Sequence, residues 1–447
     1  MHKKKLTGKE TFLVGITLFG MFFGAGNLIF PVHLGQMAGS NTWPAIIGFI
    51  ITAVSIPILG VAAIGNTNSS DLLNLSQKVS PWYGYAFTTV LYLTIGPCFA
   101  IPRCATTSFT TGVEGVIGTE NSKIYLLVFS LAFFGTVLAF SLKPKKITTW
   151  VGKIITPIFL AFLAILIIAA MSHPAARIAE VAPEAGYETG ALFNGFVEGY
   201  GTMDGIAGLA FGIIVINIIK GMGIEDNGDI AKATVKAGII TAVIMAIIYV
   251  LTIIMGTQSR GLFETSENGG IALSQIANHY LGIAGTVILA LTITFACLKT
   301  AIGLVTACAE QFVEMFPRSL SYKGWAILFT VFSFAISNVG LTAIITYSIP
   351  VLMLIYPLAI VLIILALTEK MFGKSQVVYA CTIAGAFIAA IFDFMKTLPE
   401  GIQTALNIPA ATDFAAKVFP LFDLSLGWVV PSIIGFVIGL VVSKLRK

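Results

Sequence analysis

The chain alternates between long apolar segments and short polar connections. Most of the apolar segments hold about 20 residues, which is the length that a helix needs to cross a bilayer. A membrane β-barrel would instead show alternating segments of about 10 residues. The pattern therefore predicts an all-α integral membrane protein with about twelve transmembrane helices. The predicted spans are 11–38, 43–65, 82–118, 124–142, 149–171, 198–219, 237–257, 279–308, 324–338, 341–367, 376–392 and 425–443.

Some of these spans depart from the usual length. The third and the eighth are longer than a bilayer requires, so we expect them to be tilted, broken or extended past the membrane. The ninth is short, and only Asn338-Val339-Gly340 separates it from the tenth. The polar connections 172–197 and 393–424 cannot bury a core of their own. We therefore expect the function to lie within the membrane bundle.

The composition agrees with a membrane protein and disfavours several classes of function. Of 447 residues, 57% are hydrophobic and 11% are charged, against roughly 25% charged residues in soluble domains. No C-x-x-C pair or His/Cys cluster is present, so we expect neither a disulfide framework nor a metal centre, and no cofactor. No phosphate-binding loop, nucleophile–base set or soluble domain is visible, which disfavours an ATP-driven pump and an enzyme. The five cysteines are Cys98, Cys104, Cys297, Cys308 and Cys381.

Lysine and arginine residues predict the orientation. With the N-terminus inside, most of them fall in cytoplasmic loops, which is the positive-inside pattern. The net charge of +5 is then explained by topology, and we expect membrane lipid rather than nucleic acid as a partner. The "MHKKK" start leads into an apolar span without a cleavage site, so no signal peptide is expected. Both termini are predicted to be cytoplasmic. The residues predicted outside are Lys123, Arg177, Arg260, Lys396 and Lys417.

Two predicted spans are interrupted by glycines. The first contains Gly24-Ala25-Gly26-Asn27, and the sixth begins with "EGYGTMDG" at 198–205. Spans that lie five apart run in opposite directions, so a repeated five-helix unit must be inverted. Glycine also serves close packing in membrane helices, and a single interruption is a weak signal. Interruptions at matching positions of two inverted halves favour the central binding site of a secondary transporter.

An interrupted helix offers two kinds of binding group. The second half-helix has free N–H groups at its positive end, which suit a carboxylate. The first half-helix has free C=O groups, which suit an ammonium group or a metal cation. A zwitterionic amino acid carries both charges. The pattern therefore indicates an amino acid as substrate, within a cavity where these backbone groups need not pair with each other.

Four stretches resemble the bacterial branched-chain amino acid carriers, the BrnQ family, and the resemblance covers nearly the whole chain. They are "FGAGNLIFPVHLGQMAG" (23–39), "IGPCFAIPRCATTSF" (95–109), "GYGTMDGIAGLAFGIIV" (199–215) and "ACLKTAIGLVTACAE" (296–310). The resemblance implies import of leucine, isoleucine and valine with sodium or protons, in the bacterial cell membrane. It also implies the leucine-transporter fold, with inverted repeats at 1–171 and 198–367 and peripheral helices at 376–447.

The resemblance also implies which residues bind substrate. Backbone amides of Ala25 and Gly26 would hold the carboxylate, and carbonyls of the second break would hold the ammonium group. The residues implied in this site are Gly24, Ala25, Gly26, Asn27, Tyr200, Gly201, Thr202 and Asp204.

A coupling-ion site is implied between the first and eighth spans. It would consist of the carbonyls of Gly20 and Phe23 and the triplet Ala296, Lys299 and Thr300. Sodium-coupled members of the fold usually carry a hydroxyl where this chain has Lys299. Two alternatives follow: ordinary sodium symport, or a proton-coupled or sodium-independent carrier in which the lysine stands in place of the ion.

Three ionisable residues lie at membrane depth, and such residues are functional candidates by default. For each of them the sequence allows a functional and a structural interpretation. Asp204 could pair with the substrate amine or a cation, or could cap a helix beside Gly205. Arg103 could pair with a carboxylate that fixes a helix contact, or could contact the ligand. Lys299 could belong to the site or extend to the inner face. A broader neutral amino acid carrier is the alternative within transport, and a channel or enzyme is the alternative outside it.

Overall fold

The computed structural model describes residues 6–67, 69–114, 121–142, 148–224 and 226–446. Every regular element in these ranges is helical. Some of the lysines predicted to be cytoplasmic, namely Lys3–Lys5, Lys143, Lys145, Lys146 and Lys447, lie outside the described residues. The helices are α1 Gly8–Phe22, α2 Gly26–Ala38, α3 Thr42–Ile50, α4 Ile56–Thr67, α5 Leu72–Ser76, α6 Pro81–Leu93, α7 Ala100–Ser108, α8 Ser122–Ser141, α9 Thr148–Ser172, α10 Tyr187–Glu198, α11 Asp204–Gly221, α12 Asn227–Ser259, α13 Gly269–Met315, α14 Tyr322–Ser337, α15 Leu341–Thr368, α16 Gln376–Lys396, α17 Glu400–Ala405, α18 Ile408–Val418 and α19 Val429–Leu445. Short 3₁₀ or π turns occupy Gly39–Asn41, Ile51–Ser55, Thr94–Cys98, Phe109–Val113, Ile178–Glu180, Gly199–Thr202, Glu369–Phe372 and Phe422–Leu424.

Several helices are long and apolar enough to cross a membrane. Seven such segments occur in the described part of the chain, and an eighth if Asp204–Gly212 and Ile214–Gly221, which meet at 45°, form one bent span. The predicted all-α membrane architecture is confirmed, whereas the count of twelve spans stays a prediction. Shorter apolar helices occupy Leu160–Ser172, Tyr322–Ser337 and Val429–Leu445.

The first predicted span is broken at the expected place. Helix α1 begins with a capping box, in which Thr7 and Glu10 bind each other's backbone N–H groups. It ends at Phe22, and α2 begins at Gly26 with the chain non-helical between them. The last carbonyls of α1 and the first N–H groups of α2 are therefore left without partners within their own helices.

The sixth span is broken as well, and it is longer than the sequence indicated. Helix α10 begins at Tyr187, and the 3₁₀ turn Gly199–Thr202 follows it. Met203 then adopts φ +64°, in the left-handed region. That region is uncommon for residues other than glycine, so the chain direction changes here. Helix α11 starts at Asp204.

The two overlong predicted spans are also interrupted. In the third, Gly96 has non-helical backbone angles and Pro97 follows it, between α6 and α7. In the eighth, Gly282 adopts φ +63° and divides α13 into a short and a long part. The ninth and tenth spans separate at Gly340, where φ is +91°. All three interruptions fall at glycine, because it reaches such angles without a steric penalty.

Close helix packing holds the interrupted spans in place. A Cβ on Gly208 of α11 would lie 2.3 Å from the carbonyl oxygen of Pro57 on α4. A Cβ on Gly256 of α12 would lie 2.1 Å from the carbonyl oxygen of Val32 on α2. Small residues allow this approach where no hydrophobic force drives membrane helices together. Helices α4 and α12 thus form a support for the second halves of both broken spans.

Candidate functional site

The two breaks lie side by side. Gly26, the first residue of α2, packs against Thr202: a Cβ there would lie 3.3 Å from both the Cα and the carbonyl oxygen of Thr202. Gly201 packs against Phe30, with only 2.4 Å between a Cβ at Gly201 and the Phe30 ring. The structure therefore brings together residues that are about 170 positions apart in the chain. The absence of side chains at Gly26 and Gly201 is what allows the contact.

Asn27 closes the first break. Its side-chain oxygen accepts a hydrogen bond of 2.8 Å from the backbone N–H of Gly24. Its side-chain nitrogen donates to the Asp204 carboxylate and, at 2.5 Å, to the Tyr249 hydroxyl. Asn27 thus satisfies one backbone group of the break and connects α2 to α11 and α12.

Asp204 is buried and joins three helices. Besides Asn27, the hydroxyl of Tyr249 donates to its carboxylate at 3.3 Å. The cap position of α11 belongs to Met203, and no side chain forms a cap there. The structure therefore differs from the helix-cap interpretation of Asp204. The carboxylate instead points across to the start of α2 and to the middle of α12.

Tyr200 packs away from the shared contact of the two breaks. Its ring stacks on Tyr356 of α15, with 4.1 Å between the ring centroids and 14° between the planes. The Tyr356 hydroxyl in turn accepts a hydrogen bond of 3.3 Å from the backbone N–H of Gly205. This tyrosine pair fixes the position of the second break against α15.

Arg103 links α7 to the second break. The guanidinium is buried, with 3% of the residue exposed, and its Nη1 donates a hydrogen bond of 2.7 Å to the carbonyl oxygen of Gly201. It also lies 5.2 Å from the centroid of the Phe30 ring, in a cation–π contact. The expected pairing with a carboxylate is therefore replaced by pairing with a backbone carbonyl. The break supplies that carbonyl, because Gly201 lies in the turn between α10 and α11.

The two breaks enclose a small central cavity of ≈ 50 Å³. One wall is polar and contains the first break, Arg103, Thr202 and Asp204. The other lining residues are apolar apart from Cys104 and Thr300, and we call them the apolar wall. The apolar residues are Met21, Phe22, Ile95, Ala100, Met203, Ala207, Phe211 and Leu304.

A second cavity, of ≈ 250 Å³, lies beyond the breaks on the side where α13 begins. Phe30 and Gly201 line it, whereas Arg103 and Thr202 line only the central cavity. The layer formed by Phe30, Arg103 and Gly201 therefore separates the two cavities. His33, Glu198 and Glu267 are the acidic and basic residues that line the second cavity.

Lys299 and Thr300, two of the residues implied in a coupling-ion site, lie beside the first broken span. The Lys299 ammonium donates a hydrogen bond of 3.3 Å to the carbonyl oxygen of Gly20, near the end of α1. Thr300 donates to the carbonyl of Ala296 at 3.1 Å. Its side chain also lies 3.5 Å from the position of a Cβ on Gly24. Phe23, between these groups, stacks on Phe19 with 4.9 Å between the centroids. The Lys299 side chain thus reaches into the bundle, beside the first break.

Comparison with known proteins identifies the family. The model of the family described as branched-chain amino acid transport protein matches residues 7–446. The chain belongs to this family. The branched-chain amino acid permease BrnQ of Lactobacillus delbrueckii subsp. lactis is 50% identical over 98% of this chain and 97% of its own. The BrnQ permease of Bacillus subtilis (strain 168) is 39% identical over 99% of both chains. Both relatives are transporters by name, so the chain is a carrier and not an enzyme.

Solved structures with low sequence identity show the fold of this family member. The inward-facing conformation of Mhp1 matches with a TM-score of 0.61 at 14% identity, over 94% of this chain and 96% of that one. MhsT in complex with L-phenylalanine matches with a TM-score of 0.52 at 16% identity, over 100% of this chain and 99% of that one. The expected leucine-transporter fold is therefore confirmed.

Some site residues of this branched-chain amino acid carrier could not be found from its sequence. Tyr249 lies in the middle of α12 and Tyr356 in the middle of α15, and neither has a local motif around it. The residues of the apolar wall could not be predicted either, because 57% of the chain is hydrophobic. Arg103 was visible in the sequence as an ionisable residue at membrane depth, like Asp204 and Lys299, but its partner, the Gly201 carbonyl, was not predictable.

Proposed function

We propose that this family member imports leucine, isoleucine and valine by secondary active transport with a coupling cation. The observation that carries the proposal is the meeting of Gly26 and Thr202 at one cavity with a polar and an apolar wall. The membership in the family of branched-chain amino acid transport proteins gives the substrate class. An amino acid with a branched side chain matches the chemistry of both walls.

The substrate is held by the ends of the half-helices. Amides of Ala25 and Gly26, at the positive end of α2, bind the carboxylate. Thr202 and Asp204 line the central cavity, and the Thr202 carbonyl and the Asp204 carboxylate bind the ammonium group. The carbonyls of Tyr200 and Gly201 already accept hydrogen bonds from Met203 and Arg103. The aliphatic side chain lies against the apolar wall, which contributes about 25 cal/mol for each Å² of apolar surface removed from water.

Transport requires access from either side in turn. The chain lies in a bacterial cytoplasmic membrane with both termini in the cytoplasm, so the second cavity opens towards the outside. Phe30, Arg103 and Gly201 separate this cavity from the central one, so the substrate has no access from the outside in this conformation. The repeats 1–171 and 198–367 move relative to each other around the central cavity, while 376–447 stays peripheral.

The coupling ion has two alternatives. Sodium could bind the carbonyls of Gly20 and Phe23 together with Ala296 and Thr300. The contact of Lys299 with the Gly20 carbonyl favours the second alternative, in which the ammonium group occupies that position and protons are coupled or no sodium is required.

Reconstitution tests the proposal directly. The purified carrier is placed in proteoliposomes, and uptake of radiolabelled leucine is measured with a sodium gradient, a proton gradient or neither. We expect accumulation above the equilibrium level with at least one gradient. Absence of leucine uptake under every gradient, from correctly folded protein, would contradict the proposed function. Equilibration without accumulation would contradict secondary active transport.

A further inference from the structure

Arg103 is a buried cation whose hydrogen-bonding capacity is only partly used. Its Nη1 donates to the Gly201 carbonyl at 2.7 Å, whereas its Nε is buried without a hydrogen-bond partner. In the described part of the chain, the ion pairs within 4 Å do not include Arg103. A buried charge without an opposite charge is costly, so a position like this needs an anion to complete it.

The missing anion is expected beside Gly26. The Nη2 atom of Arg103 lies 2.8 Å from the position of a Cβ on Gly26, so the guanidinium packs against the first turn of α2. That turn carries the partial positive charge of the helix and its free N–H groups. Arg103 and the first turn of α2 both line the central cavity, so two positive groups border the space beside Gly26. A carboxylate at this point would accept hydrogen bonds from both, and guanidinium groups suit carboxylates in particular.

The opposite charge lies in the same cavity. Asp204 and Arg103 both line the polar wall, and they form no ion pair with each other within 4 Å in the described part of the chain. A zwitterion can lie between them with its carboxylate towards Arg103 and its ammonium group towards Asp204. Both buried charges would then be compensated by one ligand.

We propose that Arg103 is the fixed counter-ion of the substrate carboxylate, and that it makes a free carboxylate a requirement for binding. This inference rests on the proposed function, because it assigns a residue to the same site. It places part of carboxylate recognition on a side chain of α7, in addition to the backbone of the first break. Arg103 would still hold Gly201 and Phe30 in place, so the test must separate recognition from a merely structural role.

The test compares two ligands that differ only at the carboxylate. Purified carrier in detergent binds radiolabelled leucine, and unlabelled leucine or leucinamide competes for it. Leucinamide keeps the side chain and the amine but replaces the carboxylate by a neutral amide. We expect the natural protein to prefer leucine by about 100-fold or more. In Arg103→Gln we expect this preference to fall by about 10- to 100-fold, the range for a charge-assisted hydrogen bond.

A purely structural role predicts a different result. Loss of the contact with Gly201 would weaken leucine and leucinamide equally, and the ratio between them would stay unchanged. An unchanged ratio in Arg103→Gln would therefore overturn the proposal, and so would equal competition by both ligands in the natural protein. Arg260→Gln removes a half-buried arginine outside the cavity and serves as the matched control, with the ratio of the natural protein expected.

Two further variants keep the proposal testable if Arg103→Gln does not fold. Arg103→Lys keeps the charge but loses the planar fork, so the preference should fall by about 3- to 10-fold. Gly26→Ala adds a Cβ that pushes the flexible end of Arg103 away, and it should lower the preference as well. An unchanged ratio in both folded variants would overturn the proposal. Failure of the natural protein to bind leucine would instead contradict the proposed function.

Discussion

Asn27 at the start of α2 donates a hydrogen bond from its side-chain amide to the carboxylate of Asp204 at the start of α11. Each residue belongs to the first turn of the half-helix that follows a break. The bond therefore joins the two half-helices directly at the central cavity, and Tyr249 of α12 contacts both partners. A network of buried polar groups of this kind is rigid when it is fully satisfied. A substrate at Asp204 would therefore act on both breaks together.

Asp204→Asn should impair transport more than Tyr249→Phe, which removes the neighbouring hydroxyl group. The variant keeps the shape of the side chain but removes the charge that would face the substrate amine. We expect leucine uptake to fall roughly 10- to 100-fold, the range for a hydrogen bond to a charged group. Tyr249→Phe removes only a neutral hydrogen bond and should lower uptake by about 2- to 10-fold. Initial uptake rates in proteoliposomes with equal amounts of protein provide the measurement.

The deaminated analogue of leucine gives the control for Asp204. This 2-oxo acid lacks the ammonium group, so the natural protein should bind it weakly. Asp204→Asn should bring leucine and the analogue closer in affinity. If Asp204→Asn takes up leucine normally and still prefers leucine to the 2-oxo acid, Asp204 only joins the helices and does not bind the substrate amine.

Gly26→Leu should abolish leucine uptake while folding and membrane insertion remain intact. Even a Cβ at this position would lie 2.8 Å from Nη2 of Arg103 and 3.3 Å from the backbone of Thr202. A leucine side chain would therefore fill the space between the breaks. Gly135→Leu on α8 is the matched control, because a Cβ there meets no atom within 4 Å. Uptake is compared at equal membrane expression. Normal uptake in Gly26→Leu would remove the first break from the substrate site.

Leucine, isoleucine and valine should all compete with one another, within about one to two orders of magnitude in concentration. An apolar wall discriminates between side chains only by about 1–3 kcal/mol per methylene group. Lysine and glutamate should not compete, because each would bury an unpaired charge against residues such as Phe211 and Leu304. Inhibition of radiolabelled leucine uptake by a panel of amino acids provides the measurement. Effective competition by lysine or glutamate would contradict the branched-chain assignment, and strong competition by alanine or methionine would favour the broader neutral carrier.

Leucine uptake should depend weakly or not at all on sodium. The Lys299 ammonium donates to the Gly20 carbonyl at 3.3 Å, a group that a sodium ion at this position would need. A charged lysine and sodium should not share the site. Lys299→Thr and Lys299→Ser supply a hydroxyl instead and should gain sodium dependence. The measurement is leucine uptake at fixed pH with sodium replaced by choline. Collapse of uptake in the natural protein without sodium would support ordinary sodium symport.

The connection before α10 should make stability depend on pH. Glu184 accepts hydrogen bonds from Thr265 and, at 2.7 Å, from Arg260. These contacts, the Thr265 hydrogen bond first, hold the pKa of Glu184 below its usual value. Because the pKa is lowered in the folded state, the stabilisation is present above the ordinary value of about 4.3. It is lost as the pH falls through the lower value of the folded protein.

Thermal unfolding of the purified carrier measures this effect. Glu184→Gln should lower the midpoint at pH 7 and should reduce its further fall between about pH 5 and pH 3. Glu180→Gln is the control. The Glu180 carboxylate oxygen lies 3.8 Å from Nη1 of Arg177, and both side chains are exposed, so this pair should contribute little to stability. Equal pH profiles of the natural protein and Glu184→Gln would show that the contact with Arg260 contributes nothing.

Local features of the sequence determined the membrane class, the interrupted spans and the family. Hydropathy is a property of short windows, and a glycine such as Gly26 weakens a helix wherever it stands. Motifs around both breaks were therefore sufficient to predict a transporter of amino acids, and the family and its fold are confirmed. Helix ends were less certain: α10 begins at Tyr187 because polar residues can continue a helix beyond the apolar part of a span.

Only the tertiary structure decided which side chains meet at the breaks. Arg103 and Gly201 are 98 positions apart, and Lys299 and Gly20 are 279 apart, so no spacing rule relates them. The apolar wall was hidden for a different reason, since apolar residues face lipid, core and cavity alike in a membrane bundle. Tyr249 reached Asp204 because glycines let α12 pack closely along α2. Partners of this kind depend on helix packing, which is a property of the whole bundle rather than of any segment.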